Sequence, residues 1–167
     1  MNEEKSKRIK PIETVYSGYR FRSRLEARWA VFFDYLKIKW EYEKEGFDFG
    51  DKKYLPDLWL STVNMWAEIK PGKFTEKEKE LAILLANQTG YPVLMLDGVP
   101  ENKSYKGIAK DGDEYDFCLT NYHNYPQNEH RFFACPGDYE KQWSDTRAAA
   151  NAAKSARFEF GEHGARK

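Results

Sequence analysis

The stretch from Tyr54 to Lys70, YLPDLWLSTVNMWAEIK, decides how this chain is read. Two apolar, β-prone runs flank a turn-forming cluster at Ser61 to Asn64. The segment therefore reads as a hairpin, with strands over 54–60 and 63–70. Alternation along the second strand puts Val63, Met65, Ala67 and Ile69 on one face and Asn64, Trp66, Glu68 and Lys70 on the other. On the first strand Leu55, Asp57 and Trp59 share a face, and Pro56 belongs at the strand's start or at an edge. Closing the hairpin brings Asp57 alongside Glu68, with Lys70 next to it. Two carboxylates and an ammonium then share one small volume, which is costly unless a cation joins them. Two carboxylates with open positions are what Mg²⁺ uses when a phosphate supplies the remaining oxygens. The plainer alternative is a solvated Glu68–Lys70 pair with Asp57 in a turn.

Ahead of this stretch, Leu25, Trp29, Phe32, Phe33 and Leu36 recur at three- and four-residue steps, which predicts a helix from Ser23 to about Lys37. A strand is expected from Trp40 to Phe49, set off from the hairpin by Gly50-Asp51. Pro71-Gly72 ends the hairpin. Thr75 and Glu78 form a capping-box signature, so Glu76 to Thr89 reads as a second helix, stopped by Gly90. The run Tyr91 to Leu96, YPVLML, has the continuous apolar character of a buried strand. Beyond it, Asp111-Gly112 suggests a turn between strands at Lys106–Lys110 and Tyr115–Thr120. Phe132-Phe133 suggests a short strand. The Ala-rich run from Asp145 to Phe158 suggests a last helix, capped by Ser144 or Asp145. The expected fold is α/β with a mixed sheet: residues 1–15 a flexible arm, 16–100 the core, and 101–167 an extension packed on it within a single domain.

Composition narrows the classes of function. The chain has 167 residues and 27 aromatics, enough for a core without staples. No apolar run approaches the 18 or so residues of a membrane span, and the N-terminal stretch lacks the apolar centre of a secretory signal. Two cysteines cannot make a disulfide framework, so a reducing cytoplasm is the expected setting. Formal net charge is zero, but residues 1–37 carry +4 and 141–167 carry +3 around an acidic middle. Any nucleic-acid contact is therefore expected from the terminal segments. Cys118, His123, His130 and Cys135 lack the close spacing of a zinc site. Asp111 to Glu114 lacks the spacing of a calcium loop. There is no phosphate-binding loop for a nucleotide cofactor.

Pro56-Asp57, ten residues, then Glu68-Ile69-Lys70, set in an αβββαβ order over residues 23–96, resembles the PD-(D/E)XK nuclease superfamily with its restriction-endonuclease-like fold. Within it the chain is similar to small stand-alone nucleases of phages and mobile elements, such as junction resolvases and transposon-end-cleaving subunits. The resemblance implies that Asp57, Glu68 and the backbone carbonyl of Ile69 hold Mg²⁺, with Mn²⁺ able to substitute, and that Lys70 orients or deprotonates the attacking water. The implied chemistry is metal-assisted hydrolysis of DNA phosphodiesters, structure-selective or of low sequence specificity, because little chain is left for a separate recognition domain. A homodimer or a partner protein could supply recognition.

Glu26 has two readings. Ser23-Arg24-Leu25-Glu26 is itself a capping box, in which Glu26 reaches back to the helix start. Several families of the superfamily place Ser-x-x-Glu there with the acid turned into the active site, which would make Glu26 an auxiliary catalytic acid. Around it, Arg20, Arg22, Arg24 and Arg28 interleave with Tyr19 and Phe21, a pattern suited to phosphates and bases. Lys73 follows the hairpin closely enough to join them. Lys77 on the second helix and the stripe of Arg147, Asn151 and Lys154, with Arg157 beside it, are weaker candidates. The rival expectations are a non-catalytic module that binds nucleic acid or protein on the same fold, and an RNA nuclease.

Overall fold

The computed structural model describes residues 10–118 and 139–158. Two short strands, β1 (Thr14–Tyr16) and β2 (Tyr19–Phe21), make an antiparallel hairpin ahead of helix α1 (Arg24–Tyr35). Strands β3 (Trp40–Tyr42), β6 (Leu58–Leu60) and β7 (Met65–Lys70) pair antiparallel in that order. Between β3 and β6 a separate ribbon forms from β4 (Phe47–Asp48) and β5 (Lys53–Tyr54). Helix α2 (Glu76–Thr89) then crosses over to β8 (Val93–Asp97), which lies parallel to β7. Parallel neighbours require such a crossover. Strands β9 (Ser104–Ile108) and β10 (Glu114–Cys118) extend the sheet antiparallel, and helix α3 (Tyr139–Ser155) follows.

The result is a mixed α/β fold with a six-stranded mixed sheet ordered β10-β9-β8-β7-β6-β3. Its α1-β3-β6-β7-α2-β8 portion has the αβββαβ order of the restriction-endonuclease-like arrangement. No helix among the described residues is long and apolar enough to cross a membrane.

Each sheet face carries its own core. Towards α1 and α3 lie Leu58, Leu60, Met65, Ala67, Ile69, Leu94 and Leu96, packed against Trp29, Phe32 and Phe33 of α1 and Ala149 and Ala153 of α3. Towards α2 lie Trp59, Trp66, Val93, Met95 and Ile108, packed against Ala82, Leu85 and Ala86. Alternation along β7 thus sends Ala67 and Ile69 to the first face and Trp66 to the second. Glu68 and Lys70, two and four residues from Trp66, emerge on the α2 side. Gly107 is fixed by packing: a β-carbon there would stand 2.4 Å from the ring of Tyr115, its partner across β9 and β10.

Several local expectations shift. The strand expected over 40–49 stops at Tyr42 because Glu43 takes a positive φ of 44° and turns the chain out of the sheet. The strand expected over 54–60 divides at Leu55-Pro56-Asp57, so that Tyr54 belongs to the ribbon and only Leu58–Leu60 to the main sheet. Strand β1 begins at Thr14, inside the stretch expected as an arm, because Tyr16 is buried against Asp34 and Phe158. Helix α2 has the expected bounds: both halves of its capping box form, and Gly90 closes it in the left-handed conformation. Helix α3 starts at Tyr139, ahead of Ser144. The strand expected at Phe132-Phe133 lies outside the described residues.

Candidate active site

The break at Leu55-Pro56-Asp57 builds the site. Asp57 sits just before β6, where continuing the strand register would set it opposite Glu68, and it uses its side chain instead. Its Oδ2 accepts a 2.7 Å hydrogen bond from the backbone N–H of Ile69. On a β-strand the N–H and C=O of one residue point to the same side. The carbonyl of Ile69 therefore faces the Asp57 side as well. Glu68 approaches from β7: its Oε1 lies 2.8 Å from Lys70 Nζ, and its Oε2 accepts a 2.7 Å hydrogen bond from the Tyr54 hydroxyl. Asp57 and Glu68 are both buried, at 7% and 6% exposure.

Electrostatics confirm that these groups feel each other. Burial, then the charge of Glu68, pushes the Asp57 carboxyl well above the ordinary carboxylate range. Glu26 adds to this, and the Ile69 N–H and Lys70 oppose it. Burial alone would pull Lys70 down. The hydrogen bond and charge of Glu68, with Asp57 and Glu78, outweigh it, so Lys70 stands above the ordinary lysine value. Lys70 stands beside the carboxylate pair, within reach of a water or a phosphate oxygen bound there. Tyr54 is raised by burial and by Glu68, and it serves the site as a hydrogen-bond donor.

Glu26 is also buried, but its carboxylate turns back on its own helix. Ser23 Oγ donates to it at 2.7 Å, the Arg22 N–H at 3.2 Å and the Tyr42 hydroxyl at 2.7 Å. The capping arrangement holds it, with its charge within electrostatic reach of Asp57. Among the described residues, no three His, Cys, Asp or Glu side chains converge as a metal-binding group. What converges is a pair of carboxylates beside a backbone carbonyl. That pair is hard oxygen, poorly solvated and mutually repelling, so it fits a Mg²⁺ or Mn²⁺ ion that also draws on water and phosphate.

The candidate basic residues separate. Arg22 is at the site: it pairs with Glu43, and its guanidinium lies 3.6 Å from Asp57 Oδ1. Arg20 is exposed on the β1–β2 hairpin beside Glu13, 3.3 Å away. Arg24 opens α1 and is half-buried. Arg28 is a correction to the expected nucleic-acid face. Its guanidinium donates to the carbonyls of Ala153 and Lys154 and lies 5.8 Å from the centre of the Phe158 ring, so it ties α1 to the end of α3. Lys73 is exposed beyond β7 and lines a cavity next to the site. Lys77 is exposed on α2, and Arg147, Asn151 and Lys154 form an exposed stripe on α3.

Three further residues at the site belong to no catalytic motif. Tyr54 anchors Glu68, Tyr42 anchors Glu26, and Glu78 both caps α2 and lies 3.6 Å from Lys70. Tyr54 stands three residues before Asp57, and Glu78 is legible as a cap, but only the fold brings them to these partners.

No protein family and no curated protein matches the chain. Among solved structures it is similar to a protein from Anabaena variabilis ATCC 29413 described as a candidate nuclease belonging to DUF820. That match has 13% identity and a TM-score of 0.41, over 85% of this chain and 93% of the other. Likeness at that level carries no argument about function, which rests on the site itself.

Proposed function

We propose that this protein is a metal-dependent nuclease that hydrolyses phosphodiester bonds in DNA. The observation that carries the reading is the buried Asp57–Glu68 pair, with Lys70 bonded to it at 2.8 Å. A fold that only needed these positions filled would place apolar groups there. Lys70 and Arg22 offset these charges only in part, since burial and Glu68 still push the Asp57 carboxyl up, and a bound metal ion would relieve the rest. Asp57, Glu68 and the Ile69 carbonyl would hold the ion. When bound, it supplies Lewis-acid polarisation of the phosphate and a more acidic water.

The chain's own residues do the rest. Tyr54 fixes the rotamer of Glu68, and the Ile69 N–H fixes Asp57, so the donor pair is set before substrate arrives. Lys70, a cation held between Glu68 and Glu78, is placed to orient the attacking water and to offset charge growing on the phosphate oxygens. Arg22 balances Asp57 from the other side and is exposed enough to exchange that contact for a phosphate. With no separate recognition domain among the described elements, selection would act on the shape of the nucleic acid more than on its sequence.

The test is cleavage of supercoiled plasmid, linear duplex, single strand and four-way junction in Mg²⁺, Mn²⁺ or EDTA, with matched RNA and with Lys70→Ala. Cleavage should require the metal and fall by about 10² or more in the variant. Binding without cleavage of any substrate in either metal would overturn the enzyme reading in favour of a docking module. Faster cleavage of RNA would reassign the substrate.

A further inference from the structure

Beside the acidic corner, on the same side of the sheet as α2, lies a cavity of about 460 Å³. Its relation to the site is set by strand register. Glu68 is paired with Met95, Met95 with Lys106, and Lys106 with Asp116, so these four side chains stand in one row across β7, β8, β9 and β10. Neighbouring strands are spaced at about 4.8 Å, which puts Lys106 about 10 Å from Glu68 along the row. That is the reach of the next nucleotide along a strand whose phosphate lies at Glu68.

The lining mixes chemistries. Met95 and Ile108 make an apolar floor, and the half-buried ring of Phe74 forms part of the wall. Lys106 pairs with Asp116 at 2.8 Å, Lys103 with Asp97 at 3.1 Å, and Lys79 with Glu114 at 3.1 Å. Lys73 contributes a further ammonium without an ion-pair partner among the described residues, three positions beyond Lys70.

We propose that this cavity seats one unpaired nucleotide of the substrate strand, adjacent to the phosphate that is cut. A track for bare phosphates would be uniformly basic, whereas three carboxylates here hold three of the four lysines. A nucleotide uses every part of the lining. Its ring lies on the apolar floor against Phe74, an exocyclic amine or ring N–H donates to a carboxylate, and its phosphate draws on Lys73 and on Lys106, which is exposed enough to turn from Asp116. A cavity of this size suits a single small ligand. A base pair would have to bring a second base and backbone to the same volume of about 460 Å³. Selection for an unpaired position next to the scissile bond follows. The identity of the ligand as a substrate strand rests on the nuclease reading.

The test uses fluorescein-labelled DNA hairpins with either a blunt stem or a short single-stranded tail at the 5′ or 3′ end. Binding is followed by anisotropy in EDTA and in Ca²⁺. Wild type should bind a tailed hairpin more tightly than the blunt one. Phe74→Leu and Lys106→Ala should each weaken tailed binding by roughly five- to tenfold, the scale of losing a base stack, and leave blunt binding unchanged. Lys106 is 57% exposed, so its variant should fold, and thermal melting of both variants checks this. Equal affinity for tailed and blunt hairpins, or tailed binding unmoved in both variants, would overturn the cavity assignment even if Mg²⁺-dependent cleavage persists. Tail-dependent binding lost in the variants, without cleavage by wild type in Mg²⁺ or Mn²⁺, would support the nucleotide seat and overturn the nuclease reading. Neither binding nor cleavage would overturn both.

Discussion

Two buried carboxylates, one at the start of α1 and one at the start of β6, receive opposite treatment. Glu26 accepts hydrogen bonds from the Ser23 hydroxyl, the Arg22 N–H and the Tyr42 hydroxyl, and its own N–H donates to the N-cap Ser23. Asp57 is buried to the same degree and has one short hydrogen bond, a guanidinium at 3.6 Å and a second carboxylate near enough to push its pKa up. Three donors hold the Glu26 carboxylate against its own helix start. A buried carboxylate left in tension with its neighbour is poised for a ligand, and such tension concentrates at functional sites. Burial alone would rank the two acids together, and their partners set them apart.

The most forceful way to break it is through activity. Asp57→Asn should lower metal-dependent cleavage by about 10² or more, and Glu26→Gln by less than about tenfold, in the same plasmid assay. Equal losses would return Glu26 to the active site as a full third acid. Stability should show the reverse order. Glu26→Ala removes the acceptor of the Tyr42 and Ser23 hydroxyls, while the Arg22 N–H keeps its 3.0 Å bond to the Tyr42 hydroxyl, and should cost about 1–3 kcal/mol in denaturant unfolding. Asp57→Asn removes the repelled charge and should leave the metal-free protein as stable as wild type or more so.

The smallest effect is the pH dependence of that tension. A carboxyl whose pKa is higher folded than unfolded binds its proton more tightly in the folded state. Its stabilising contribution is complete below the unfolded value of about 3.9 and is lost as pH rises towards the folded value. In EDTA the melting temperature should therefore fall from about pH 5 to about pH 8 through this group. Millimolar Mn²⁺ should recover the loss by binding the folded state. Asp57→Asn should flatten both responses, and an unchanged pH slope in that variant would place the tension elsewhere.

The readings that held were those carried by neighbours in sequence. Thr75, Glu78 and Gly90 bound α2 because a cap is a bond across three residues and a left-handed stop is a property of one. Alternation along Met65–Lys70 placed Glu68 and Lys70 on one face for the same reason. What failed involved distant partners. Arg28 looked like a phosphate ligand beside Arg24, yet its contacts are 125 and 126 residues away on α3. The strand expected through Glu43 ended because the chain turns there at positive φ, and nothing in the residue type announces that.

By itself the sequence determined the spacing of Asp57, Glu68 and Lys70, the helices that flank them, and the order of elements that sets one strand beside the other. Tertiary structure decided which acid is satisfied and which is strained, since that depends on Tyr42 donating to Glu26 across 16 residues and on the sheet setting Glu68 beside Asp57. It also decided that a mixed polar and apolar cavity opens one strand away, because register between β7, β8 and β9 lines up residues almost forty positions apart. Local bonds are written in neighbouring letters. Burial and cross-strand neighbours exist only once the chain has closed on itself.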